Sequence, residues 1–166
     1  MASAQKGDGM KRLNSCRANK KSALLAGVLA AMVLFAAPGY LMAGDRLSIT
    51  SKIANIRSGP GTDHDVLWQV EQYHPIVVIE KKGNWYRFKD FEDDYGWVHD
   101  SLVGKVRSVI TVKSQCNVRK GPGTDNAVVF LVEKGVPFKV LAKKGNWLKI
   151  EHADGDVGWI YKTLVW

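Results

Sequence analysis

An all-β chain made of two tandem small barrels is the fold class this sequence predicts, and three observations carry it. After the first 43 residues the chain repeats itself at a fixed offset of 62 residues without a gap. The repeated unit is cut into short β-branched and aromatic runs by glycine, proline and asparagine turns. Nothing beyond residue 43 keeps a sustained helical period.

The repeat is read directly from the residues. Asn55-Ile56-Arg57-Ser58-Gly59-Pro60-Gly61-Thr62-Asp63 falls on Asn117-Val118-Arg119-Lys120-Gly121-Pro122-Gly123-Thr124-Asp125. Lys81-Lys82-Gly83-Asn84-Trp85 falls on Lys143-Lys144-Gly145-Asn146-Trp147, Gly96-Trp97 on Gly158-Trp159, and Leu102-Val103 on Leu164-Val165. Within the first unit, Leu47 to Ile53 alternates and reads as a first strand. The Gly59-Pro60-Gly61 loop can be neither helix nor central strand, since proline lacks a donor and glycine permits positive φ. Val66 to Val70 and Ile76 to Ile79 are strands, with Pro75 at the start of the second, where proline is tolerated. Lys82-Gly83-Asn84 is a hairpin turn that returns as Trp85 to Lys89, and Tyr95 to Val98 is a last strand. Tyr86 and Phe88 match Leu148 and Ile150, so that face is apolar in both copies and is the expected core. Trp85 and Trp147 then stand on the opposite face, covering a barrel edge beside Arg87 and Lys149.

The combined pattern, N-[IV]-R-x-G-P-G-T, then K-G-N-W, then G-W-[VI], resembles the bacterial SH3-like family over essentially residues 47–166. The resemblance implies two tandem small SH3-like β-barrels. It also implies a targeting or binding role toward peptidoglycan, peptides or other proteins of the cell envelope. The expected organisation is residues 44–103 and 109–166 as the two domains, joined by a linker at 104–108.

The formal charge of +8 is unevenly spread. Residues 1–43 hold six bases and one acid, a net of +5; residues 44–103 hold seven bases and ten acids, a net of −3; residues 104–166 hold eleven bases and five acids, a net of +6. A basic stretch from Lys11 to Lys21 precedes the uncharged run Ser22 to Ala43, which breaks at Pro38-Gly39. That is the form of a secretory signal peptide over residues 1–43, read in preference to an uncleaved apolar anchor helix. Export to the periplasm or envelope follows. A membrane partner is expected only if the leader stays uncleaved. Nucleic acid is not an expected partner, since most of the excess charge leaves with the leader.

Candidate site residues fall into two groups. Arg57 and Arg119 could clamp an anion, or each could merely pair with its own loop through Asp63 or Asp125. Aromatics that differ between the copies mark a surface one copy uses alone: Tyr73 and Tyr95 in the first unit, and Tyr161 in the second, where the first has His99. Ordinary barrel packing is the reading for Trp68 and Phe130. A structural role is assigned to Gly59, Pro60, Gly61, Trp85 and Trp97, and to Gly121, Pro122, Gly123, Trp147 and Trp159. No Gly-Lys-Ser/Thr follows either loop, so a phosphate-binding P-loop is excluded. Past the leader, Cys116 is the one cysteine; it matches Ala54 and reads as a small core residue rather than a nucleophile. The four histidines have no ligand-like spacing. The expectation is a non-enzymatic protein without metal or cofactor that binds peptidoglycan or a peptide segment. The alternative is a structural protein–protein adaptor in the envelope.

Overall fold

A computed structural model describes residues 44–166; the signal peptide or anchor helix read over residues 1–43 lies outside them. The first repeat forms β1 (Arg46–Ile49), β2 (Ile53–Arg57), β3 (Val66–Glu71), β4 (Pro75–Lys82), β5 (Trp85–Lys89), β6 (Tyr95–His99) and β7 (Val103–Gly104). The second forms β8 (Ser108–Ile110), β9 (Cys116–Arg119), β10 (Val128–Val132), β11 (Pro137–Lys144), β12 (Trp147–Glu151) and β13 (Val157–Tyr161). The strand orders are β3-β2-β6-β5-β4-β1-β7 and β10-β9-β13-β12-β11-β8, so one bent antiparallel sheet is built twice. A two-residue turn at Gly83-Asn84 joins β4 to β5, with Gly83 at φ 57°, a backbone state that glycine enters without steric cost.

Two details differ from the sequence reading. Leu47 to Ile53 is not one strand, because the chain turns at Thr50–Lys52. The Thr50 N–H and hydroxyl both donate to the Leu102 carbonyl, at 2.8 and 3.2 Å, which pins that corner. The turn resets the alternation. Ala54 and Ile56 point into the core, and Ile53 is left 59% exposed. The return strand β7 was also missing from the reading; it follows a short 3₁₀ turn at Asp100–Leu102 and pairs Val103 with Ile49. Two residues are too few for a periodic signal.

Each barrel has its own core. Ile49, Ile56, Ile76, Val78, Phe88 and Val98 are essentially inaccessible in the first, and Val118, Phe138, Ile150 and Ile160 in the second. Tyr86 and Phe88 face inward as their parity requires, and Trp68 and Phe130 pack against the rims of the two cores. Gly96 and Gly158 let β6 and β13 approach their neighbours. A Cβ on Gly96 would collide with the buried Ile56 methyl, and one on Gly158 with Val118.

The barrels dock through matched corners. Ser48 Oγ lies against Ser108 Oγ and donates to the Val106 carbonyl at 2.7 Å. The Arg46 guanidinium stacks 3.9 Å above the Trp166 ring, where burial lowers its pKa from the ordinary value. Lys134 reaches Glu92 at 2.6 Å. Gly135, which stands where the first repeat has Tyr73, faces the Phe91 ring at this contact.

Beneath Phe91 lies a buried pair. His74 Nε2 is 3.9 Å from Asp90 Oδ2, too far for a hydrogen bond, and has no other partner. The other carboxylate oxygen of Asp90 accepts from the Glu92 and Asp94 backbone N–H groups. Desolvation pushes the His74 pKa down to about 4, with the charge on Glu92 opposing weakly.

Two outcomes follow. Gly96→Ala should lower stability by about 1–3 kcal/mol through overpacking, measured as a lower midpoint in urea unfolding. His74 is held neutral in the fold and charges more readily when unfolded, so protonation favours the unfolded chain. Stability should therefore fall as pH drops from about 6.5 to about 4, by up to about 3 kcal/mol, then level off with respect to this group. Replacing His74 with valine, the residue at the equivalent Val136, should flatten the stability–pH profile measured over that range.

Candidate functional site

The outward rows of β2, β5 and β6 build one groove, and those of β9, β12 and β13 build its copy. Ile53, Asn55 and Arg57 from β2, Trp85 from β5, His99 from β6, Gln69, Thr62 and Leu102 line the first, a depression of about 330 Å³. Gln115, Asn117, Arg119, Trp147, Tyr161, Thr124, Asp125 and Leu164 line the second, of about 590 Å³. Seven lining positions match at the 62-residue offset; Gly123 and Asp125 take part only in the second groove, and Gln69, whose counterpart is Leu131, only in the first.

An aromatic corner closes one end of each groove. Trp85 meets His99 edge-to-face with ring centroids 5.3 Å apart, and Trp147 meets Tyr161 at the same separation. Strand register causes this. Trp85 pairs with His99 and Trp147 with Tyr161 across the ladder, on the face opposite the core. The Tyr161 hydroxyl accepts from Asn146 Nδ2 at 3.2 Å, and His99 Nδ1 lies 2.8 Å from Ser101 Oγ.

An arginine forms the other end. Arg57 Nη1 donates to the Thr62 and His64 carbonyls at 3.1 and 2.7 Å, and Arg119 Nη1 to those of Thr124 and Asn126, both at 2.8 Å. This corrects the expected pairing with Asp63 or Asp125, since the partners are backbone carbonyls. A loop of six to eight residues folded back on its strand aims several carbonyls at one point, and a guanidinium carries five donors in a plane to meet them. Each arginine thus locks its Gly-Pro-Gly loop while its remaining N–H groups border the groove. The first glycine of each loop leaves room for a side chain of the same loop. A Cβ on Gly59 would press on the His64 ring at 2.5 Å, and one on Gly121 on the Asn126 amide at 2.5 Å.

The two grooves differ in their cross-strand hydrogen bonding. Gln69 Nε2 donates to Asn55 Oδ1 at 2.7 Å in the first. Leu131 stands opposite Asn117 in the second and offers its amide no hydrogen bond. The second groove is the larger of the two, and the Asn117 amide on its wall lacks the cross-strand partner that Asn55 has.

Of the expected ligand residues, Arg57 lies in the first groove, and Arg119 and Tyr161 share the second. Tyr73 and Tyr95 lie in neither. Tyr73 is half-buried in a left-handed turn at φ 70°, where its partner in the repeat is Gly135 at φ 88°. Tyr95 is 50% exposed on the outer face, with the Arg87 guanidinium 5.6 Å from its ring centre. Trp85 and Trp147, read as structural, are groove walls as well. Asn55 and Asn117 were missed; their place in a repeated motif directly before the arginine was the available signal. Trp97 and Trp159 are half-buried on the outer face, in register with Arg57 and Arg119. Cys116 points the other way, wholly buried in the second core. Its thiol donates weakly to the Lys113 carbonyl, and burial raises its pKa.

Comparison with known proteins agrees with the repeat. The family model described as Bacterial SH3 domain matches residues 50–105 and again 112–166. A putative N-acetylmuramoyl-L-alanine amidase, YrvJ of Bacillus subtilis, is 25% identical over 122 residues, covering 67% of this chain and 23% of the relative. A probable cell wall amidase, LytH of Staphylococcus epidermidis, is 35% identical over 52 residues, covering 31% of this chain and 18% of the relative. The chain therefore spans less than a quarter of the length of these relatives. An NlpC/P60 family protein from Bacillus cereus aligns over 74% of this chain and 56% of its own, with 12% identity and a TM-score of 0.36. Matched twice by one family model over most of its length, the chain belongs to the bacterial SH3 domain family and carries two copies of that domain in tandem.

Proposed function

We propose that this chain is an exported, non-catalytic binding protein that recognises peptidoglycan or a peptide segment of the cell envelope through the paired grooves. The observation that carries the reading is the repetition of one groove in both barrels, with an aromatic corner at one end and a loop-locking arginine at the other. Flat sugar and peptide faces stack on Trp147 and Tyr161, and carboxylate or amide oxygens suit the free N–H groups of Arg119 and the open amide of Asn117. The larger second groove is the stronger binder. The names of the similar amidases, which refer to the cell wall, support the ligand class. A reaction on the ligand is not part of the proposal, and Cys116, the cysteine of the described residues, lies in the core.

A protein–protein adaptor is the second reading. The exposed apolar residues Val128, Val129 and Leu131 on the edge strand β10 favour it, since such an edge accepts another chain.

Retention on purified peptidoglycan separates the two. Wild-type protein should sediment with the wall, and Trp147→Ala should weaken binding by about tenfold, roughly the loss of one stacking contact in a polar site. Trp85→Ala should cost less. Unchanged retention in the double Trp85→Ala/Trp147→Ala variant would remove the grooves from the binding surface, and absence of retention with a co-purifying protein would support the adaptor.

A further inference from the structure

The two barrels disagree most at one corner. In the first, His74 and Phe91 fill the space between β3, the start of β4 and the β5–β6 turn, their rings meeting edge-on with centroids 6.1 Å apart. The equivalent positions in the second barrel are Val136 and Ala153. At this corner of the second barrel, where Phe138 and His152 meet edge-on with ring centroids 5.5 Å apart, lies a cleft of about 320 Å³. Phe130, Leu131, Val136 and Phe138 make its apolar walls.

Its rim is acidic although its barrel is basic. Glu133, Asp154 and Asp156 border the cleft, in the half of the chain where bases outnumber acids by eleven to five. The nearest lysines along the chain are engaged elsewhere, Lys134 with Glu92 at 2.6 Å and Lys139 with Glu151 at 3.2 Å. His152 lies on the rim, its Nδ1 3.3 Å from Asp154 Oδ2. The inter-barrel crevice begins beside it, lined by His152 and Asp154 with Glu71 and one base, Lys52. Among the described residues no three His, Cys, Asp or Glu side chains are placed to share a metal ion.

We propose that this cleft is a second binding site, distinct from the grooves, for a peptide carrying a lysine-type side chain, an aliphatic stem ending in an ammonium group. The stem lies along Leu131, Val136 and Phe138, and the ammonium sits among Glu133, Asp154 and Asp156. An apolar floor under a negative rim suits that side chain better than a simple cation, which would forgo the floor, or an uncharged chain, which would forgo the rim. The second barrel thus offers two unlike surfaces: the groove of Trp147 and Arg119, and a cleft selective for amines.

The test uses ¹⁵N-labelled protein with two probes, N-acetyl-lysine methylamide and its norleucine counterpart, which keeps the stem and lacks the ammonium. The lysine probe should shift the backbone amides of Leu131, Val132 and residues 152–156 in a saturable manner, and should bind about tenfold more tightly than the norleucine probe. Asp154→Asn/Asp156→Asn, two exposed substitutions, should abolish that preference and leave the rest of the spectrum in place. Trp147→Ala should leave the lysine response unchanged, so failure of the groove reading and failure of this one are told apart. Equal response to both probes, no response at these amides, or shifts that depend on protein concentration alone and so reveal a second copy seated there, would each overturn the proposal.

Discussion

Alternation on a very small barrel is the constraint from which the rest follows. β5 pairs with both β4 and β6, so each of its side chains goes either to the core or to the outer face. With Tyr86 and Phe88 inside, Trp85 and Arg87 have no choice but the surface. The same holds for Trp147 and Lys149 on β12. A unit of this size, with no disulfide among its described residues, must fill its interior completely to be stable. It therefore spends Ile49, Ile56, Ile76, Phe88 and Val98 inward and displays Trp85 outward, where the groove forms.

Glycine and arginine turn that constraint into a shaped surface. Gly96 and Gly158 bring the aromatic-bearing strands close to β2 and β9, setting arginine and tryptophan on adjoining rows. The arginine then draws the Gly-Pro-Gly loop onto its own strand through two carbonyls. Binding surfaces assembled from loops lose affinity to loop entropy, and here the locking is intramolecular and already made before any ligand arrives. The Arg-x-Gly-Pro-Gly part of the motif that identifies the family in the sequence is thus the loop lock.

Duplication leaves each copy free to change where the other keeps the fold. The second copy has Leu131 in place of Gln69 beside its larger groove, and Val136 and Ala153 in place of His74 and Phe91 at the corner that holds its cleft. Phe91 in the first copy is not idle; it supports the contact with Gly135 and Lys134 that holds the barrels together. One barrel has spent that corner on docking, and the other has kept it open.

The sequence by itself determined the duplication, the all-β class, the hairpins at Gly83-Asn84 and Gly145-Asn146, and the inward row of β5 and β12. These are local properties: turn chemistry and two-residue period act between neighbours in the chain. Only the tertiary structure decided that Thr50–Lys52 is a corner, that Arg57 and Arg119 bond carbonyls rather than Asp63 and Asp125, and that Tyr73 and Tyr95 lie apart from the groove. Each of those depends on which residues from distant strands arrive at one place, through a register set by core packing across the whole barrel. Differences between the copies mark both Tyr161, which lines the second groove, and Tyr73, which lies outside both grooves. A difference between repeats marks a position released from the fold, and release can serve docking between barrels as readily as binding of a ligand.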